Sequence, residues 1–281
     1  MMPPSRFKQF AKDAFGCILI GWLTVAAVYE PPGGPTPGDL KDTQPIPGVD
    51  PARAVIYQGR GVTLVNEGKL EPALDQFRRA AAFDPSNVSV FINIAYVLDR
   101  LGLYEEAIAQ LKGAEKIDPR NSMIFLNWGN SLINMKKFEE ALEPLQKAAD
   151  LDPSNQLVYV NQGAALNNLG RYLEAAGKFE KAVELDPKNV TSIFNLAAIW
   201  SKAGETRKAI EKYERVIELD PKNLTAYYNC TALYEKAGNL DGAIETIRRA
   251  IKVDPDNGTL REILSRLLVA KANQAPAVKL P

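Results

Sequence analysis

The dipeptide Asp-Pro occurs seven times in this chain, and each occurrence lies 34 residues from the next. Its prolines are Pro51, Pro85, Pro119, Pro153, Pro187, Pro221 and Pro255. Proline cannot continue a helix interior. A breaker that returns at one fixed interval marks a stacked array of like units, each packing on its neighbours, and not a single folded core.

Six full units follow, starting at residues 54, 88, 122, 156, 190 and 224 and numbered internally from 1 to 34. Position 20 is always alanine: Ala73, Ala107, Ala141, Ala175, Ala209 and Ala243. Position 24 is large and apolar, from Phe77 and Leu111 to Tyr213 and Ile247. Position 8 is small: Gly61, Ala95, Gly129, Gly163, Ala197 and Thr231. Positions 4, 7, 8 and 11 share one helical face, as do 20, 24 and 27. Position 15 is glycine in five units and Lys136 in the third, which suits a left-handed residue ending the first helix. Asparagine closes every unit, from Asn87 to Asn257, and its side chain is expected to cap the next helix. Each unit therefore reads as a hairpin of two helices of about 13 residues. Arg60, Gln162 and Cys230 break the apolar pattern at position 7, and Thr206 breaks it at position 17.

The pattern resembles the tetratricopeptide repeat family, whose unit is a 34-residue helix–turn–helix. The third unit carries it well in Phe125, Trp128, Gly129, Leu132, Phe138, Ala141, Leu145, Ala148 and Pro153. The resemblance covers 54–257 and implies an all-α, right-handed superhelical solenoid. Residues 258–272 are expected to form a capping helix, because Leu260, Ile263, Leu264, Leu267 and Leu268 follow amphipathic spacing. The last stretch, 273–281, carries no periodic signal and is expected to be a flexible tail.

At the front, residues 14–29 carry no charge and follow Arg6, Lys8 and Lys12. A run of this length, extended by Phe7, Phe10 and a snorkelling Lys12, reads as a signal anchor. The alternative is a cleaved signal peptide, with small residues at Val25 and Ala27. Both readings put the repeats on the non-cytoplasmic side of a membrane, anchored in one case and secreted or periplasmic in the other. Residues 31–53 are rich in proline and glycine and read as a semi-extended linker.

Composition excludes several chemistries. The chain has no histidine, so it lacks the commonest general base and metal ligand. Cys17 and Cys230 are the only thiols and form no CxxC motif. There is no glycine-rich phosphate loop. Acids and bases balance at 34 each, which argues against bulk nucleic acid as a partner. The pairs Glu105–Glu106 and Glu139–Glu140 open second helices, where acids complement the helix dipole. No catalytic constellation, metal site or cofactor is expected.

The resemblance places positions 2, 5, 6, 9, 12 and 13 on a concave surface lined by first helices. Position 6 is asparagine in five successive units: Asn93, Asn127, Asn161, Asn195 and Asn229, with Gly59 in the first. Position 5 is apolar at Ile92, Leu126, Val160, Phe194 and Tyr228. Asn130, Asn134, Asn167 and Asn168 add amides in the middle of the array. An amide offers donors and an acceptor, so a ladder of them can pair with the main chain of an extended peptide. Such a ladder is similar to that in the repeat region of the O-linked N-acetylglucosamine transferase family. Family members that clamp a C-terminal carboxylate use basic residues at positions 2, 5 and 6. None is basic here, so no chaperone-tail clamp is expected. Arg100, Lys202 and Lys236 at position 13 are the nearest basic groups and are expected to be solvated.

These features lead to a non-catalytic scaffold that binds extended segments of partner proteins and supports assembly of a membrane-associated complex. The alternatives are a soluble, self-associating homo-oligomeric scaffold and an accessory subunit of an envelope enzyme.

Overall fold

The computed structural model describes residues 49–274. The charge-free run 14–29 and most of the linker lie outside the described residues, as does the tail beyond 274. Among the described residues no helix is long and apolar enough to cross a membrane. The described chain is all-α and holds thirteen helices. It divides at the turn between Leu169 and Gly170 into two compact units, residues 49–169 and 170–274.

The first unit holds α1 (Pro51–Asn66), α2 (Leu70–Phe83), α3 (Val88–Arg100), α4 (Tyr104–Ile117), α5 (Ser122–Asn134), α6 (Phe138–Leu151) and α7 (Gln156–Asn168). Helices α1/α2, α3/α4 and α5/α6 are antiparallel hairpins, and each second helix also packs on the first helix of the next hairpin. First helices of neighbouring repeats touch as well, α3 on α5 and α5 on α7. The core is one continuous apolar column from Ala54 to Val158. Its spacing rule is visible at position 8: a Cβ on Gly61 would sit 2.5 Å from Phe77, and one on Gly129 would sit 2.5 Å from Leu145. Small residues at position 8 thus admit the large ones at position 24.

The second unit holds α8 (Tyr172–Leu185), α9 (Val190–Lys202), α10 (Thr206–Leu219), α11 (Leu224–Lys236), α12 (Leu240–Val253) and α13 (Gly258–Gln274). Its core is built by the same register, with Phe179, Ile193, Tyr213 and Ile247 each at most 2% exposed. Helix α13 covers α12 through Leu260, Ile263 and Leu267. It runs to Gln274, two residues past the expected end at 272. Asn273 and Gln274 contain no breaker, and the first proline beyond them is Pro276, whose predecessor is disfavoured in helical geometry.

The aspartates have a role that the proline spacing did not reveal. Each second helix ends on the Asp of an Asp-Pro pair, and in Asp84, Asp118, Asp152, Asp186 and Asp220 that carboxylate accepts the backbone N–H two residues on. Ser86 donates to Asp84, Arg120 to Asp118 and Ser154 to Asp152, each at 3.1 Å. The turn is therefore locked by an Asx bond as well as by the proline ring. The asparagine that follows caps the next helix at Asn121, Asn155, Asn189, Asn223 and Asn257. Asn87 instead accepts from the Ser89 hydroxyl at 2.6 Å. The first Asp-Pro behaves in the opposite sense. Pro51 opens α1, and Asp50 accepts from the N–H of Arg53 at 3.1 Å. The helix thus begins three residues before position 54, inside the stretch expected to be linker. Proline fits the first helical turn because its missing donor would have no partner there.

The five glycines at position 15 have φ between 74° and 84°, and Lys136 adopts the same left-handed geometry at 60°. The polar residues at position 7 are covered. Gln162 donates to Gln146 at 3.2 Å, and Cys230 donates to Glu214 at 3.5 Å. Arg60 lays its guanidinium 5.5 Å from the centre of the Tyr57 ring.

Candidate functional site

The expected ladder divides by burial. Asn93, Asn127, Asn195 and Asn229 are only 1–6% exposed, while Asn161 is half-buried. Ile92, Leu126 and Phe194 are likewise buried, whereas Val160 and Tyr228 are half-buried. The reason is geometric. Positions 5 and 6 sit beside the apolar face of the first helix, and close packing covers them, as where Phe194 and Asn229 both meet Tyr213 of the second helix α10. Most of the ladder is therefore beneath the surface rather than presented as an open row.

Each amide meets different surroundings. Asn127 donates to the carbonyl of Met123 at 2.8 Å, and Asn229 donates to the Tyr213 hydroxyl at 3.1 Å. Asn161 donates across the repeat boundary to Asn130 at 2.6 Å. The Nδ2 of Asn93 and the Oδ1 of Asn195 are buried with no hydrogen-bond partner.

The accessible part of the first-helix face in residues 49–169 consists of positions 2, 9 and 13 with Val160 and Asn161. It includes Ser89, Met123, Tyr96 and Asn130, all half-buried, and the exposed Arg100, Asn134 and Asn168. Hydrogen bonds between successive first helices hold this face. Gln58 donates to Ser89 at 3.0 Å, Asn134 to Asp99 at 2.7 Å and Asn161 to Asn130 at 2.6 Å. Asn168 turns back to the carbonyl of Ala164 at 2.9 Å. Arg100 donates to the Tyr96 hydroxyl at 2.9 Å and so is not simply solvated.

Asp99 had no role in the sequence reading and is the most perturbed acid of this face. Its Oδ2 takes the Asn134 amide, while its Oδ1 is buried with no well-formed hydrogen bond; the Ser131 hydroxyl lies near the carboxylate but donates to the carbonyl of Asn127. Burial raises its carboxyl above the ordinary value, against the opposing pull of Ser131 and Asn134. Only its place at position 12 beside Asn134 could have hinted at this.

In residues 170–274 the same register positions carry Asn195 and Asn229 as core amides and leave Tyr228 half-buried. Burial lowers the Lys202 ammonium, which stands 5.9 Å from the Tyr172 ring centre; the expectation of a solvated lysine is not met. Lys236 is exposed. Burial and the neighbouring Glu214 push the Cys230 thiol well above its ordinary range and keep it protonated and unreactive. Among the described residues no group of His, Cys, Asp or Glu is placed to hold a metal ion.

Helical hairpins in a 34-residue register, with turns locked by Asp-Pro and stacked first helices, define a helical-repeat protein. Family models for the tetratricopeptide repeat match residues 59–122, 126–190 and 201–267, more than half of the chain. The chain belongs to the tetratricopeptide repeat family, whose members are generally non-catalytic protein-interaction scaffolds.

Solved structures of the same fold include YrrB, a tetratricopeptide repeat protein with an unusual peptide-binding site. It is 24% identical with a TM-score of 0.56, and the match covers 70% of this chain and 97% of YrrB. MamA is 26% identical with a TM-score of 0.54, covering 58% of this chain and 95% of its own. PilF of Pseudomonas aeruginosa is 22% identical with a TM-score of 0.62, covering 76% and 97%. No curated protein matches the sequence.

Proposed function

We propose that this protein is a non-catalytic scaffold that holds extended segments of partner proteins against the first-helix face of its repeats. The observation that carries the reading is the row of half-buried and exposed groups on α3, α5 and α7. Tyr96, Asn130, Asn134, Val160, Asn161 and Asn168 combine apolar contact area with amide donors and acceptors. Bonds between neighbouring repeats hold several of these groups in place before any ligand arrives, which reduces the ordering cost of binding. The peptide-binding site of YrrB lends support by analogy of fold. The buried asparagines support this face from beneath.

The charge-free segment 14–29 would tether the array to a membrane, and the proline-rich segment after it would hold the repeats off the bilayer. Tethering raises the effective concentration of the scaffold beside membrane partners and favours assembly of a complex there.

Affinity capture from native membranes tests the reading, with the intact protein and the variant Asn130→Ala/Asn134→Ala/Asn161→Ala as parallel baits. Mass spectrometry identifies what each retains, and circular dichroism checks that the variant is folded. A partner kept by the native bait and lost from the folded variant supports recognition on this face. Equal capture by both rejects it.

A further inference from the structure

On the side of the second helices, the first unit contains a recess of about 530 Å³ between α4 and α6, with α5 as its floor. Phe125, Trp128, Leu132 and Met135 form that floor, and Pro144 forms part of one wall. Trp128 stands at position 7. Its counterparts Ile94, Leu196 and Cys230 are at most 3% exposed, whereas Trp128 is only half-buried.

The recess is open for a reason that can be read in the register. Between the last two repeats, position 25 of one second helix and position 26 of the next are Glu214 and Arg249. They pair at 2.7 Å and roof over Cys230. The same two positions bordering the recess are Lys112 and Lys147. Two ammonium groups cannot pair with each other there, so the walls are joined one turn further along α4, by Lys147 and Glu115. Each ammonium instead stands over an aromatic ring, Lys112 at 5.2 Å from Trp128 and Lys147 at 4.0 Å from Phe125.

The charge around the recess is uneven once internal pairs are counted. Lys147 is paired with Glu115 at 2.7 Å. Glu105, Glu140 and Glu143 are exposed along the walls beside Lys112 and Lys137, and these three acids make no ion pair among the described residues, which leaves an excess of one negative charge. Proline at 144 also deprives the Glu140 carbonyl of its usual helical donor. The recess therefore offers an aromatic face already shown to hold a cation, together with three uncommitted carboxylates and a spare carbonyl.

We propose that this recess is a second docking site, distinct from the first-helix face, for an extended partner segment that presents an arginine beside an aliphatic residue. A planar guanidinium stacks on indole better than an ammonium does and has donors for several carboxylates at once. It takes the place of Lys112 over Trp128, and the exposed Lys112 ammonium turns out to solvent. The aliphatic neighbour contacts Leu132 and Met135.

The probe is a fluorescein-labelled hexapeptide, Gly-Leu-Arg-Leu-Arg-Gly, blocked at both ends. Its binding to the full-length protein in detergent micelles is followed by fluorescence anisotropy. The expected result is saturable binding that weakens about tenfold in Glu105→Gln/Glu140→Gln/Glu143→Gln, through loss of several exposed charge pairs. Lys112→Ala removes the internal competitor and is expected to strengthen binding about threefold. The first-helix variant Asn130→Ala/Asn134→Ala/Asn161→Ala binds the probe as the native protein does, so the two sites fail or stand separately. All the wall substitutions are on exposed side chains and leave the fold intact. Absence of binding, equal affinity of the glutamine variant, weaker binding by Lys112→Ala, or preference for a peptide with glutamates in place of arginines overturns the proposal.

Discussion

Asn229 and Asn195 hold the same register position and meet different fates. The amide of Asn229 satisfies the hydroxyl of Tyr213, a ring only 2% exposed, whereas the Oδ1 of Asn195 has no partner. Removing one half of a buried polar pair strands the other, while removing an already unpaired group does not. Asn229→Ala is expected to cost about 1–3 kcal/mol. Asn195→Ala is expected to cost under about 1 kcal/mol. Urea unfolding midpoints compare them, and equal losses would mean that the two amides are equally engaged. Asp99 supplies a second case. Its carboxyl is raised by burial above the ordinary 3.8, so the folded state holds its proton more tightly than the unfolded state. Its contribution to stability is complete below that ordinary value and is lost as pH rises through the raised folded value. Asp99→Asn removes the titration and keeps an acceptor for Asn134. The variant should therefore melt above the native protein at pH 7, with the gap closing on acidification toward the ordinary carboxylate range. A gap independent of pH would exclude Asp99 as its source.

At the scale of the helix, glycine has two unrelated jobs in this chain. At position 15 it provides left-handed backbone, and Lys136 shows that another residue is tolerated there when a hairpin on either side enforces the turn. At position 8 it provides absence of volume. A Cβ at 129 meets Leu145 at 2.5 Å, while one at 113, on the outer side of α4, meets nothing within 4 Å. Gly129→Ala is thus expected to destabilise by about 1–3 kcal/mol through overpacking. Gly113→Ala should be neutral or stabilising by up to about 1 kcal/mol, because alanine is the better helix former. Thermal melts of the two variants check both signs. A neutral Gly129→Ala would mean that α5 and α6 are less closely packed than their small-and-large pairing indicates.

At the scale of the molecule, the helices of each unit pack chiefly on their neighbours in sequence, and in residues 49–169 also on the first helix of the adjoining repeat. Stability in such an array is a sum of unit and nearest-neighbour terms. Damage should stay where it is made. In Gly129→Ala, hydrogen exchange is expected to quicken in α5, α6 and the helices they touch, while α2 keeps its native protection. Uniform loss of protection from α1 through α7 would instead show that residues 49–169 unfold as one cooperative block.

The 34-residue spacing, the hairpins within each unit, the small residues at position 8 and the capping by asparagine at Asn121, Asn155, Asn189 and Asn223 were legible in the sequence. They depend on local periodicity and backbone stereochemistry, which one unit displays and the next repeats. The Asx role of the aspartates was equally local and was missed because proline alone accounted for the breaks. Burial of the position-6 asparagines was not legible, since an amide at a given helical angle looks the same whether a neighbouring helix covers it or solvent does. The same holds for the raised carboxyl of Asp99 and the open recess over Trp128. Those depend on which side chain of the adjoining repeat arrives opposite, Glu214 to Arg249 in one place and Lys112 to Lys147 in another. Periodicity determined what stacks on what, and only the tertiary structure decided which polar groups the stacking buries, pairs or leaves open.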